Sequence, residues 1–218
     1  VPKKRKADPA PRLIAVEGPI GVGKTTLARF LAERLGGRAV LDPSDDNPFL
    51  AGFYEAPRRH AFQAQMYFLL ARYQQQQDLK QEDLFTKLTV VDYVFQKDRV
   101  FAELALSEDE LALYDRVYRT LDPRVPTPDL VVYLQARTDV LLERIRARNR
   151  ERDRALDPVY LDRTVQAYAS FFFGWQRTPL LVINTSDVDF VEREADLETV
   201  LGAVRRMRKG TQYFNPGG

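Results

Sequence analysis

The segment Gly18-Pro19-Ile20-Gly21-Val22-Gly23-Lys24-Thr25 restricts this chain more than any other. It satisfies the pattern G-x-x-x-x-G-K-S/T in full, between the apolar run Leu13-Ile14-Ala15-Val16 and a helical pattern from Thr25 to Leu35. A glycine-rich turn in that setting lets successive N–H groups face one anion, with a helix N-terminus behind them. Gly18, Gly21 and Gly23 free the backbone, and Val22 and Thr26 complete the candidate triphosphate-binding set. Lys24 is placed to reach the β- and γ-phosphates, and the Thr25 hydroxyl to join a Mg²⁺ shell. Alone, the segment predicts triphosphate binding and no particular reaction.

The remaining pattern predicts an α/β fold with a five-stranded parallel sheet. Short apolar runs at Leu13–Val16, Ala39–Leu41, Leu88–Val91, Leu130–Leu134 and Leu180–Ile183 alternate with helical patterns. The helices are expected over Thr25–Leu35, Pro57–Gln81, Phe101–Leu104, Glu108–Thr120, Val140–Arg148, Tyr160–Trp175 and Leu197–Met207. Strands of this kind belong to a sheet covered by helices on both faces. At 218 residues the chain suits one such domain, placed at 13–209, with a disordered basic leader at 1–12 and a flexible tail at 210–218. The leader, Val1-Pro2-Lys3-Lys4-Arg5-Lys6, reads as a solvated terminus, with a nuclear-localisation or phosphate-binding arm as the alternative.

Charge and composition exclude several classes. A formal net charge of +2 supplies no bulk field for nucleic acid, and the absence of cysteine removes disulfides and thiolate metal sites. A reducing cytoplasm suits such a chain. No apolar run approaches the roughly 18 residues of a membrane-spanning helix.

Three predicted strand ends carry acids, Glu17, Asp42 and Asp92, where ligands of open parallel sheets gather. Phosphoryl transfer needs a carboxylate near the acceptor hydroxyl and the metal, and Asp92 stands in a suitable place. Helix capping or metal bridging would suit Asp92 and Asp42 equally well. Arg144, Arg146, Arg148, Arg150, Arg152 and Arg154 form the second constellation. If the helix stops near Asn149, the later arginines lie on a lid able to neutralise phosphoryl oxygens. A solvated helix end is the alternative.

Through these residues the chain resembles the deoxynucleoside kinase family, from about Leu13 to Val191. The anchors are Gly18 to Thr25, Asp42-Pro43 with Asn47-Pro48-Phe49-Leu50, and Tyr54, Pro57, Ala61-Phe62, Gln65 and Arg72. The run from Asp92-Tyr93 through Lys97-Asp98-Arg99 to Ala102, then Pro128-Asp129-Leu130 and the arginine segment, complete them. The resemblance implies a kinase that moves the γ-phosphate of ATP, with Mg²⁺, to the 5′-hydroxyl of a deoxynucleoside in nucleotide salvage. Purine deoxynucleosides are favoured and deoxycytidine is possible. It implies Asp92 as the base, sharing the metal with Thr25, and Asp42 beside the hydroxyl. Gln65, Arg72 and Asp98 would meet the nucleobase, and Tyr54 and Asp153 the sugar 3′-hydroxyl. Arg144, Arg148 and Arg150 would join Lys24 on the phosphates, and Asp189-Phe190 would lie near the donor base. A cytoplasmic homodimer joined through long helices such as Pro57–Gln81 is also implied.

The chain departs from the family pattern in three respects, one of them Glu151, two residues before Asp153, as an alternative lid acid. Aspartate replaces glutamate at Asp42, Asp92 and Asp153, and Tyr93 stands where vertebrate members carry arginine. Lys97, Arg99 or a lid arginine would have to supply that charge. His60 reads as a surface or packing residue. The rival readings are a nucleoside monophosphate kinase of thymidylate kinase type and a non-enzymatic nucleotide- or nucleic-acid-binding protein. A GTP switch lacks its Asn-Lys-x-Asp sequence.

Overall fold

A computed structural model describes residues 11–82, 87–149 and 156–215. Among the described residues six parallel strands form one sheet in the order β2-β3-β1-β4-β5-β6: β1 (Leu13–Glu17), β2 (Arg38–Val40), β3 (Thr89–Val91), β4 (Leu130–Gln135), β5 (Leu180–Asn184) and β6 (Thr211–Phe214). The central strands are buried on both faces, which is why they read as unbroken apolar runs.

The expected five strands are therefore corrected to six. Thr211–Phe214, assigned above to a flexible tail, pairs with β5 in register from Leu180↔Thr211 to Ile183↔Phe214. Its side chains are mostly exposed, so it joins the sheet through backbone hydrogen bonds and leaves no apolar signature. The basic residues at 1–10 lie outside the described residues.

The helices are α1 (Lys24–Leu35), α2 (Leu50–Glu55), α3 (Pro57–Glu82), α4 (Asp98–Ala105), α5 (Glu108–Leu121), α6 (Thr138–Arg148), α7 (Pro158–Phe173) and α8 (Glu194–Arg206). Alternate strand residues point to opposite faces. Ile14, Val16, Val132 and Ile183 pack with Leu27 and Leu31 of α1, Leu141 of α6 and Leu201 of α8. Ala15, Val131, Tyr133 and Val182 pack with Leu79 of α3 and Tyr168 and Phe172 of α7. A satellite cluster of Leu69, Phe95, Ala102, Tyr114 and Tyr118 joins α3, α4 and α5. Among the described residues no helix is long and apolar enough to cross a membrane.

This topology also creates a crevice. The chain leaves β1 through α1 towards β2 on one side, and leaves β3 through α4 and α5 towards β4 on the other side of β1. The carboxyl ends of β1 and β3, carrying Glu17 and leading to Asp92, flank the point where the winding reverses, the usual place for a ligand in such sheets.

Candidate active site

The loop after β1 is shaped by what its glycines avoid. A Cβ at Gly18 would stand 2.4 Å from the Leu134 carbonyl oxygen. Gly23 has φ +99, and a Cβ there would meet the Phe190 ring at 2.8 Å. The loop is thus pressed between β4 and the turn after β5, and α1 begins directly behind it. The Lys24 ammonium folds back over the loop, donating to Gly18 O at 2.7 Å and Pro19 O at 3.2 Å. Burial pushes this ammonium down to about 8, against the opposing pull of Glu17.

Asp92, just past β3, ties the loop to the strand ends. One carboxylate oxygen accepts from the Thr25 hydroxyl at 2.5 Å, and the other from the Asp42 backbone N–H at 2.5 Å. Glu17, fully buried, accepts from Gly18 N at 3.0 Å, Val94 N at 2.7 Å and the Tyr168 hydroxyl at 2.9 Å.

The third wall is a stripe of α3. Gln65, Phe68 and Arg72 fall at i, i+3 and i+7, on one helix face, and all line the cavity. Arg72 grips Asp42 through Nε at 3.1 Å and Nη2 at 2.7 Å, donates through Nη1 to Asp98, and lies 4.7 Å from the Phe68 ring centroid. Burial would raise Asp42, yet Arg72 and Lys97 outweigh it and hold the carboxyl well below the usual carboxylate range. Asp98 responds differently: burial lifts it to about 6, with Arg72 pulling the other way. Its Oδ2 is buried and has no hydrogen-bond partner among the described residues.

These walls enclose a cavity of about 280 Å³. Gly21, Lys24, Thr25, Asp42, Asp92 and Arg148 line it, as do Tyr54, Gln65 and Arg72, so most of the predicted site converges. Asp98 stands behind Arg72. Helix α6 ends at Arg148, and Asn149 turns the chain with φ +48. Arg150, Glu151 and Asp153 lie outside the described residues. Arg144 does not face the cavity: it donates to Thr185 O at 2.7 Å, Thr185 Oγ1 at 3.2 Å and Val188 O at 3.0 Å, bracing the turn after β5. His60 packs against Gly52 between α2 and α3.

A profile of the family described as deoxynucleoside kinase matches residues 14–208. The chain belongs to the deoxynucleoside kinase family. A deoxyguanosine kinase of Bacillus subtilis is 34% identical over 201 residues, covering 89% of this chain and 96% of that protein. A deoxyadenosine kinase of Dictyostelium discoideum is 32% identical, covering 93% and 83% respectively. The fold is shared with a deoxyadenosine kinase of M. mycoides solved with bound dATP, at a TM-score of 0.76 and 22% identity, covering 88% of this chain and 99% of that one.

Several cavity residues of this deoxynucleoside kinase family member were missed by sequence reasoning. Phe68 was legible as the residue between Gln65 and Arg72 on one helical stripe. Tyr160 and Tyr168 come from α7, whose aromatic content reads as core in sequence. The Tyr93 hydroxyl points inward and accepts from Gln76 Nε2 at 2.8 Å. Arg99 turns outward to Asp115 and Glu103.

Proposed function

We propose that the chain transfers the γ-phosphate of ATP to the 5′-hydroxyl of a deoxynucleoside, with purine deoxynucleosides preferred. One observation carries the reading: Lys24 and Thr25 of the glycine-rich loop open onto the same cavity as Gln65 and Arg72 of α3. Donor and acceptor groups would thus share one space, where positioning and electrostatics do most of the work of phosphoryl transfer. The preference for purines is supported by the deoxyguanosine and deoxyadenosine kinases among the relatives.

The donor set fits Mg²⁺, which uses one or two carboxylates together with substrate phosphates. Thr25 and Asp92, whose side-chain oxygens lie 2.5 Å apart, would hold it, and when bound it would neutralise charge on the transferring phosphates. Both Asp92 oxygens are already taken, by the Thr25 hydroxyl and the Asp42 backbone N–H. On this reading Asp92 is kept for the metal, and in its place Asp42, on the Arg72 side, is assigned to the acceptor hydroxyl. Its proton affinity is low, but a loose phosphoryl-transfer transition state asks little of the base. Lys24 and Arg148 would contact the phosphates. Arg150 and Asp153 keep the roles implied by resemblance, on the phosphates and the sugar 3′-hydroxyl.

Arg72 weighs against a monophosphate acceptor, because its guanidinium is already committed to Asp42 and Asp98. A homodimer is also proposed. Leu70 of α3, 49% exposed, supports a helix-mediated contact that light scattering would test. The decisive assay is a panel of nucleosides and nucleoside monophosphates with Mg-ATP. Phosphorylation of deoxyguanosine or deoxyadenosine is expected, and transfer to monophosphates alone would overturn the reading.

A further inference from the structure

Lys97 is buried to 3% exposure, and the phosphoryl transfer proposed above gives it no contact with a reactant. Its ammonium lies 3.3 Å from Asp42 Oδ2, 3.3 Å from Glu17 Oε2 and 5.9 Å from the Phe101 ring centroid, and it lines the cavity. Burying an ammonium is costly unless it is paired. Lys97 is paired with both carboxylates and helps hold Asp42 ionised, yet each carboxylate has stronger partners. Glu17 already accepts from Gly18 N, Val94 N and the Tyr168 hydroxyl, and Asp42 already holds Arg72 in a two-point grip. The Lys97 contacts, at 3.3–3.4 Å, are also longer than the 2.7–2.9 Å typical of charge-assisted hydrogen bonds.

Position separates Lys97 from the other cations. Lys24 donates to the carbonyls of the glycine-rich loop, whereas Lys97 lies between Asp42 and Glu17 and makes no hydrogen bond to that loop's carbonyls. Lys24 and Lys97 line the same cavity, so the two ammonium groups face one region of space. Arg72 is fixed between two aspartates, Arg99 turns away to Asp115, and Arg144 braces the turn after β5.

We propose that Lys97 is a second phosphate-contacting cation, holding the transferred phosphoryl group from the acceptor side as Lys24 holds it from the donor side. The inference rests on the kinase reading above. In the step it serves, the bond between the γ-phosphorus and the β–γ bridging oxygen breaks and a bond to the acceptor 5′-oxygen forms. The hydroxyl proton passes to Asp42, and Lys97 takes no part in the proton transfer. Such a contact exists for the monophosphate product and not for the free nucleoside.

The experiment compares wild type, Lys97→Met and Lys97→Gln for binding of deoxyguanosine and of deoxyguanosine 5′-monophosphate, alongside kcat with deoxyguanosine and Mg-ATP. Deoxyadenosine and its monophosphate replace them if the assay panel favours adenine. Glutamine keeps N–H donors for Glu17 and Asp42 while deleting the charge, so it stands in for a purely structural lysine and carries the test if methionine disturbs the fold. Both variants are expected to lose about 30-fold in monophosphate affinity, with a fall in kcat of similar size and nucleoside affinity within about 3-fold of wild type. Equal losses for both ligands, no loss for either, or wild-type behaviour of Lys97→Gln would overturn the proposal. A wild-type chain that phosphorylates no deoxynucleoside would overturn the kinase reading itself, an outcome read before any variant is compared.

Discussion

The Thr25 hydroxyl donates to Asp92 across 2.5 Å, joining the first turn of α1 to the end of β3 over a sequence separation of 67 residues. The hydroxyl that follows the loop lysine and the carboxylate at the neighbouring strand end thus form one oxygen pair, suited to a hard divalent cation. Asp42 is joined to Asp92 only through its backbone N–H, and its own carboxylate faces Arg72 and Lys97.

That division predicts different phenotypes for two aspartate variants. Asp92→Asn should raise the Mg²⁺ concentration for half-maximal activity by roughly 10- to 100-fold. Asp42→Asn should leave that concentration near wild type while lowering kcat by about 10²–10⁴-fold. Magnesium titrations of initial rate check both, and a metal defect confined to Asp42→Asn would reverse the assignment.

Lys24 predicts a proton linkage. With its pKa near 8, the ammonium is partly neutral in mildly alkaline solution, and anionic phosphates favour its charged form. Triphosphate binding should therefore take up as much as one proton per site above pH 8, and affinity should decline as pH rises further. Calorimetry in buffers of different ionisation enthalpy measures this uptake. Lys24→Met should abolish it.

Asp98 predicts a pH-dependent stability difference. Its folded-state value of about 6 lies above the ordinary 3.8, so the folded chain binds this proton more tightly than the unfolded chain. The burial cost is absent below the ordinary value, grows as pH rises between the two, and is complete above 6. Asp98→Asn carries no such proton. Its Tm relative to wild type should climb between pH 4 and 7 and then level, a trend thermal melts across that range would show or refute.

The packing of Phe190 over Gly23 predicts coupling between distant parts of the chain. Gly23→Ala meets both the strained φ and the ring, and should lower stability by roughly 1–3 kcal/mol and weaken triphosphate binding. Phe190→Leu should relieve part of that loss, so the double-mutant cycle is expected to be non-additive. Additive effects in denaturant unfolding would remove the coupling.

Much of this architecture was visible in the chain itself, for identifiable reasons. Strands β1, β3, β4 and β5 are buried on both faces, so an apolar run marks each of them. Gly18 to Thr25 is legible because anion binding by backbone demands glycine at set positions. β6 carries mainly exposed side chains and is held by its ladder to β5, which leaves no pattern to read. The short α2 was missed because Gly52 interrupts it and only Phe53 is buried. Arg144 looked equivalent to Arg148, and only the carbonyls of Thr185 and Val188 show that it braces a turn. Lys97 was one of three candidates for a charge until the geometry turned Arg99 outward.

Glu17 bears on how the molecule assembles. Its partners Val94 and Tyr168 stand 77 and 151 residues away, so this carboxylate is satisfied only after both halves of the chain have closed around β1. Contacts of such long sequence separation form late and slowly in parallel α/β proteins. A partly folded chain would leave Glu17 and the start of the glycine-rich loop without their final geometry. In refolding, recovery of nucleotide binding should therefore trail recovery of helical signal, making ligand capture a clock for the last stage of folding.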